Sequence, residues 1–79
     1  METFYYNSIL DYCKDNIENF EKKLSRAFIK HIERGIPLYL ANESFTLAVQ
    51  DSIDEWGEFE EIDTDEIDVE DFLIWALDE

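Results

Sequence analysis

The stretch IENFEKKLSRAFIKHIERG, residues 17–35, decides the fold. Apolar side chains recur along it at helical intervals: Ile17, Phe20, Leu24, Phe28 and Ile32. This spacing places them in one stripe along about five turns of a helix. Gly35 follows at the position where a glycine commonly ends a helix in a left-handed conformation. The stretch therefore predicts an amphipathic helix that packs its stripe on a core.

The residues before this stretch indicate another helix. Its apolar positions fall at helical spacing: Tyr5, Ile9, Tyr12 and Cys13. Ser8 and Asp11 have the spacing of a capping box, in which two side chains cap the first backbone N–H groups of a helix. The pattern leaves open whether the two helices form one rod or break near Asp15 and Asn16.

The residues after Gly35 predict a further helix. Pro37 prevents a simple continuation, so we expect the new helix to start between Leu38 and Asn42 and to end at Gly57. Its apolar face consists of Ala41, Phe45, Ala48, Val49, Ser52, Ile53 and Trp56.

The last part of the chain combines an acidic loop with an apolar run. Residues 58–65 are interpreted as a loop or short extended piece, and Asp68 as the N-cap of a last helix with Glu70 and Asp71 in its first turn. That helix carries FLIWAL, residues 72–77, for which a short buried strand is the alternative. We therefore expect one all-α domain over residues 1–79, a small bundle of three to four helices with an acidic loop before the last helix.

The FLIWAL run is apolar nearly all round, so we expect it to be deeply buried or shared with a second chain. Together with the tryptophan at the end of the third predicted helix it suggests a homodimer. The residues expected at this contact are Trp56, Phe72, Ile74, Trp75 and Leu77.

Charge is divided unevenly along the chain. The net charge is −15, yet all basic residues lie in the first 34 positions, where acidic residues balance them. Residues 35–79 contain fifteen carboxylates and no cation. Such a field repels nucleic acids and anionic membranes and attracts basic proteins. We therefore expect a basic nucleic-acid-binding protein as the partner, and neither direct nucleic-acid binding nor a membrane.

Other features favour a cytoplasmic location. Cys13 is the single cysteine, so an internal disulfide is impossible and a reducing compartment fits. The N-terminal residues do not have the pattern of a signal peptide. FLIWAL is far shorter than the roughly 20 residues that cross a bilayer. The expected location is the cytoplasm, that of the host cell if a phage encodes the protein.

No residue pattern predicts a metal, a cofactor or catalysis. Counted from Asp63 as a calcium loop, the sixth position holds Asp68 instead of Gly and the twelfth holds Ile74 instead of Glu. His31 is interpreted as a half-buried packing residue near a helix end and Cys13 as a core residue. We expect no enzyme. The cationic row on the second helix, Lys22, Arg26, Lys30 and Arg34, is expected to face the chain's own acidic segments.

The carboxylates have a density that matches DNA. Because B-DNA carries one charge per roughly 1.7 Å of axis, fifteen carboxylates equal about 25 Å of duplex, close to the size of a folded chain of this length. A scaffold that fixes them would compete for a phosphate-binding surface. The carboxylates expected to contact the partner are Asp51, Asp54, Glu55, Glu58, Glu60, Glu61, Asp63, Asp65, Glu66, Asp68, Glu70 and Asp71.

The stretch RGIPLYLANESFTLAVQDSI, residues 34–53, resembles small phage antirestriction proteins of the Ocr type, with Pro37, Tyr39, Ala41 and Phe45 as the matching positions. Some anti-CRISPR proteins share the small, acidic and helical character. The resemblance implies a helical DNA mimic, often dimeric, that blocks a restriction or CRISPR nuclease. Two alternatives remain: an antitoxin or immunity protein that caps a basic toxin or nuclease, and an adaptor whose acidity serves solubility.

Overall fold

The computed structural model describes residues 5–78, which form five α-helices and no strand. The helices are α1 (Tyr6–Asn16), α2 (Phe20–Arg34), α3 (Leu38–Ala41), α4 (Glu43–Glu60) and α5 (Val69–Leu77). The predicted all-α fold with an acidic loop before the last helix is confirmed. The helices number five rather than three or four, because α3 is a separate single turn between α2 and α4.

Helices α1 and α2 are separate, which settles the question that the sequence leaves open. Ile17 adopts an extended conformation after α1, and Asn19 is left-handed with φ +57°. Asparagine tolerates this conformation better than most residues. The predicted capping box is wrong, since Ser8 and Asp11 both lie inside α1. The helix begins earlier because its first residue, Tyr6, is buried edge-on against Phe72 and Trp75 of α5.

Helix α2 confirms the predicted end at Gly35, which is left-handed with φ +66° and donates its N–H to the carbonyl of His31. The predicted stripe is only half correct. Phe20 and Leu24 are buried, whereas Phe28 is 39% and Ile32 64% exposed. A series spaced strictly by four residues drifts about 40° per step around a helix of 3.6 residues per turn. The later members therefore rotate out of the buried side.

Helix α4 begins after Asn42, whose side-chain oxygen accepts the N–H of Phe45 at 3.2 Å. The predicted end at Gly57 is wrong, because the helix continues to Glu60 and the left-handed residue that follows is Glu61, with φ +57°. As a consequence residues 58–60 are helical and the acidic loop covers residues 61–68. Most of the predicted apolar face of α4 is buried, including Phe45, Val49 and Ile53.

Helix α5 confirms the preference for a helix over a strand at residues 72–77. Asp68 is its N-cap, with Oδ1 accepting the N–H of Glu70 at 2.9 Å. Phe72 and Leu73 are fully buried in the hydrophobic core, to which α1, α2, α3 and α4 also contribute. Helix α1 packs on α4 and α3 packs on both α2 and α5. The outer side of α4 thereby stays open to solvent.

Candidate acidic interaction surface

The outer side of α4 carries a row of carboxylates. Asp51, Asp54, Glu55 and Glu58 follow one another at steps of three, one and three residues, which places them on one side of a helix. All four are exposed, and the opposite side of α4 is buried in the core. The spacing of adjacent members is about 6 Å on such a surface. The helix thus presents negative charge at fixed intervals.

The acidic loop folds back onto the last turns of α4 at Gly57. The N–H of Ile62 donates to the carbonyl of Gly57 at 2.9 Å. A β-carbon added to Gly57 would lie 2.5 Å from Cγ2 of Thr64 and 2.9 Å from the carbonyl oxygen of Ile62. Real contacts of a β-carbon are longer, so only glycine permits this approach. Thr64 is buried as a result.

The fold-back brings the loop carboxylates beside those of α4. A shallow concavity is lined by Asp54 and Glu58 of the helix together with Glu61, Asp63 and Asp65 of the loop. We define the acidic face as the exposed carboxylates of Asp51, Asp54, Glu55, Glu58, Glu61, Asp63 and Asp65. The structure therefore groups seven of the twelve residues predicted to bind a partner.

Hydrogen bonds fix the conformation of the loop. Asp63 Oδ1 accepts the N–H of Asp65 at 3.0 Å, closing a turn of the type that aspartate favours. The N–H of Ile67 donates to the carbonyl of Thr64 at 3.0 Å, immediately before the Asp68 cap of α5. The loop is thus tied at both ends and in its middle. Its carboxylates have defined positions relative to α4.

The other five predicted partner residues lie elsewhere or have structural tasks. Glu70 is half-buried, and its Oε1 accepts the N–H of Leu38 at 2.9 Å, which satisfies the first turn of α3. Asp68 caps α5. Burial raises the pKa of the Tyr6 phenol above 10.0, and the nearby charges of Asp71 and Asp68 raise it further. Glu60 and Glu66 are exposed but belong neither to the carboxylate row of α4 nor to the lining of the concavity.

An exposed aromatic ring borders the acidic face. Phe59 is 78% exposed, and its ring centroid lies 6.4 Å from that of Tyr12 on α1. The Tyr12 hydroxyl donates to Oε2 of Glu55 at 3.1 Å. Desolvation first, and then this hydrogen bond, raise the pKa of Tyr12 above 10.0, so the hydroxyl remains a donor at neutral pH. Phe59 was not predicted as a surface feature, because it follows Trp56 by three residues and so continues the apolar pattern of α4, and because the predicted helix ends at Gly57.

The cations of the chain do not neutralise the acidic face. Within residues 5–78 there is one ion pair, between Lys14 Nζ and Glu21 Oε1 at 3.2 Å. The expectation that the cationic row on α2 faces the acidic segments is not supported by any ion pair, since its four side chains are exposed and none pairs with a carboxylate among residues 5–78. The row lies on the solvent side of α2, because the opposite side is fixed against the core by Phe20 and Leu24.

Part of the predicted dimer contact lies inside the molecule. Trp56 and Phe72 are 6% and 0% exposed, so neither offers surface to a second copy. The sequence left both possibilities open, because periodicity does not reveal which apolar residues the chain covers itself. Ile74 is 49% exposed, and Trp75 and Leu77 are half-buried. The homodimer stays a prediction, with these three residues as its remaining surface.

The other groups considered from the sequence lie as follows. His31 is half-buried, and its Nδ1 contacts the carbonyl of Ile36. Cys13 is in the core, where burial raises the pKa of its thiol to about 12. The part of the chain that the structure describes contains no cluster of side chains suited to hold a metal ion. None of the helices described is long and apolar enough to cross a membrane.

These features define a class: a small all-α acidic protein with a carboxylate-rich face on one helix and the loop that follows it. Comparison with protein-family models, with curated proteins and with solved structures found no match in any of the three. The likeness of residues 34–53 to the Ocr-type proteins therefore stays a prediction. Inference about function rests on the acidic face itself.

Proposed function

We propose that this protein is a DNA mimic, an inhibitor that binds a basic nucleic-acid-binding protein through the acidic face and blocks its access to DNA. The resemblance stated above makes a host defence nuclease of the restriction or CRISPR type the expected target, encountered in the host cytoplasm. The protein is not an enzyme in this proposal and needs no cofactor. Its carboxylates act by occupying the positions that phosphates take on the target.

The observation that carries the proposal is that the acidic face places uncompensated like charges side by side on α4, an arrangement that is unfavourable for a helix. Asp51 and Glu55, and likewise Asp54 and Glu58, are like charges four residues apart, each pair costing about 0.2–0.5 kcal/mol. Glu58 and Glu60 also lie in the last turn of α4, where the helix dipole disfavours negative charge. No cation compensates within the residues described. Charge placed against stability is typical of a functional surface.

The dimensions of the face fit a phosphate-binding target. Residues 51–58 extend about 10 Å along α4 at 1.5 Å per residue, and the loop carboxylates continue beyond the helix end. The seven carboxylates of the face equal the charge of about 12 Å of duplex, which is well within the 38 Å longest extent of the chain. Because a helix and a hydrogen-bonded loop already hold the side chains, binding orders fewer groups than a disordered acidic tail would.

A pair of charge-matched variants tests the proposal. The face variant replaces Asp51→Asn, Asp54→Asn, Glu55→Gln and Glu58→Gln. The control variant replaces four exposed carboxylates outside the face: Asp11→Asn, Asp15→Asn, Glu18→Gln and Glu33→Gln. Both remove the same formal charge, so they differ only in where the charge was lost.

The target is first captured from host lysate on the immobilised wild-type chain at low salt and released at high salt. The purified target is then bound to a labelled 25-base-pair duplex, and each variant is titrated as competitor. We expect the face variant to compete about a hundredfold less well, roughly threefold for each lost contact, and the control to stay within about threefold of wild type. Normal DNA binding by a target saturated with the wild-type chain would refute the proposal.

A second candidate, an antitoxin or immunity protein for a basic toxin or nuclease, is favoured by Phe59. An exposed aromatic ring contributes little to the imitation of phosphates but is typical of an anchor for one cognate protein. Rescue of cells that express a neighbouring toxin, with no effect on DNA binding by the captured target, would select this candidate. Equal competition by both charge variants would instead indicate that the acidity serves solubility.

A further inference from the structure

The cleft between α1 and α4 is lined by Tyr12, Glu55, Glu58 and Phe59. It combines two aromatic rings with two carboxylates, and no cation is among these four residues. The rings are tilted by 52° and do not stack on each other, which leaves a face of Phe59 open to solvent. The composition is therefore that of a site for an organic cation.

The exposure of Phe59 is not explained by folding. Trp56, one turn earlier on the same helix, is only 6% exposed, whereas Phe59 is 78% exposed. Leaving a large apolar ring in water forgoes the favourable free energy of its burial. A partner that covers the ring would recover part of this free energy. The charge around the ring specifies that the partner's group is cationic.

We infer that this cleft binds an arginine side chain of the basic partner, with the guanidinium stacked on Phe59 and hydrogen-bonded to Glu55 and Glu58. The inference rests on the proposed function, since it takes the arginine from the same target. Arginine fits better than lysine, because a planar guanidinium both stacks on a ring and donates two parallel hydrogen bonds to a carboxylate.

The hydrogen bond from Tyr12 prepares the site for this ligand. The hydroxyl donates to Oε2 of Glu55 and so holds the carboxylate toward the cleft. Oε1 of Glu55 has no hydrogen bond in the part of the chain described, and the same is true of the Glu58 carboxylate. Glu58 and Phe59 follow Glu55 by three and four residues, one turn further along α4. The acceptors and the ring therefore lie on the same side of the helix.

The experiment needs no target protein. Acetyl-Gly-Arg-Gly-amide is titrated into the full chain at constant ionic strength, and the ring resonances of Tyr12 and Phe59 are followed by NMR. The matched peptides contain lysine, or citrulline, which keeps the shape of arginine without its charge. The test variant is Phe59→Ala, and Leu47→Ala is the control, since Leu47 is another exposed apolar residue of α4 at 57% exposure.

We expect saturable shifts at both rings with the arginine peptide, weaker ones with lysine and none with citrulline. Phe59→Ala should weaken arginine binding about two- to fivefold, the effect of an exposed cation–π contact, and Leu47→Ala should leave it unchanged. Glu55→Gln, which keeps an acceptor for Tyr12, should weaken it as well.

Equal effects of Phe59→Ala and Leu47→Ala, or shifts spread over all carboxylates, would overturn the inference. So would a wild-type mass by light scattering that doubles with concentration and becomes monomeric in Phe59→Ala, because the cleft would then hold a second copy. Peptide binding in the cleft with no DNA competition by the chain would refute the proposed function alone, so the two failures are distinguishable.

Discussion

Helices α2 and α4 are the two longest of the fold, and their C-terminal ends carry charges that interact in opposite ways with the helix dipole. Helix α2 has charges of both signs in its first turn, and Lys30 and Arg34 lie near its end, where the helix dipole favours cations. Helix α4 has Glu43 in its first turn but also Glu58 and Glu60 in its last, and no basic residue along its length. The dipole therefore favours the cations at the end of α2 and opposes the carboxylates at the end of α4.

This difference separates charges that serve the fold from charges that do not. The cations at the end of α2 need no function to explain them, even though the cationic row forms no ion pair with the other residues described. The arrangement on α4 is expected to lower stability, although it lies beside a well-packed core. The comparison therefore supports the proposal that α4 and its loop form the functional surface. Measuring how the stability of each helix responds to substitution tests this difference.

The largest expected effect comes from the glycines of the two helices. Gly57→Ala should lower the free energy of unfolding by about 2 kcal/mol, because the clash with Thr64 and Ile62 outweighs the roughly 1 kcal/mol by which alanine favours a helix. Gly35→Ala meets no atom within 4 Å but must adopt φ +66°, which costs about 1 kcal/mol. Urea denaturation measures both.

The same pair of variants distinguishes a steric clash, at Gly57, from backbone strain, at Gly35. Gly57→Ala should also displace the loop from α4 and so weaken DNA competition, whereas Gly35→Ala should leave competition intact. Stability of Gly57→Ala equal to wild type would mean that the loop does not pack on α4 as described.

The next effect is smaller and has opposite signs on the two helices. The face variant described above should be about 1 kcal/mol more stable than wild type, since it removes the like-charge pairs of α4. Lys22→Gln, Arg26→Gln, Lys30→Gln and Arg34→Gln together should be about 1 kcal/mol less stable, because Lys30 and Arg34 lose a favourable dipole interaction and the net negative charge of the chain increases. Urea denaturation at low salt checks the signs. A destabilised face variant would show that those carboxylates serve the fold.

Local signals explain how much of the fold could be predicted. Gly35 and Asp68 mark helix ends by their own conformational preferences, so the end of α2 and the start of α5 follow from the sequence. The predicted helix end at Gly57 is wrong, because the sequence does not distinguish a glycine that allows close approach of another segment from one that adopts a left-handed conformation. Contacts such as that of Glu70 with Leu38, 32 residues earlier, leave no periodic signal.

The candidate site was predictable in charge but not in shape. Composition alone placed all uncompensated carboxylates after Gly35. Their division into an acidic face and structural groups depends on the fold-back of the loop, which only tertiary packing determines. Phe59 belongs to the same class of omission, since its neighbour Tyr12 is on another helix.

The smallest effect at neutral pH concerns Cys13. Its reactivity tests whether reagents are excluded from the core beneath α4 as well as from the core beneath α2. Burial raises the pKa of its thiol from 9.0 to about 12. Below pH 9 the thiol is protonated in both the folded and unfolded chain, and its contribution to stability is complete. Between pH 9 and 12 the unfolded chain releases the proton first, so stability should fall and this contribution should be lost as the pH passes 12. The raised pKa of Tyr6 acts in the same direction. Urea denaturation from pH 7 to 10.5 should show this decline, with a weaker one in Cys13→Ala.

At pH 8 a thiol reagent should modify the folded chain far more slowly than the unfolded one, and equally slowly in the wild type and the face variant. Rapid modification of the wild type alone would show that the charges of α4 open the core, and the contrast between the two helices would then extend below the surface.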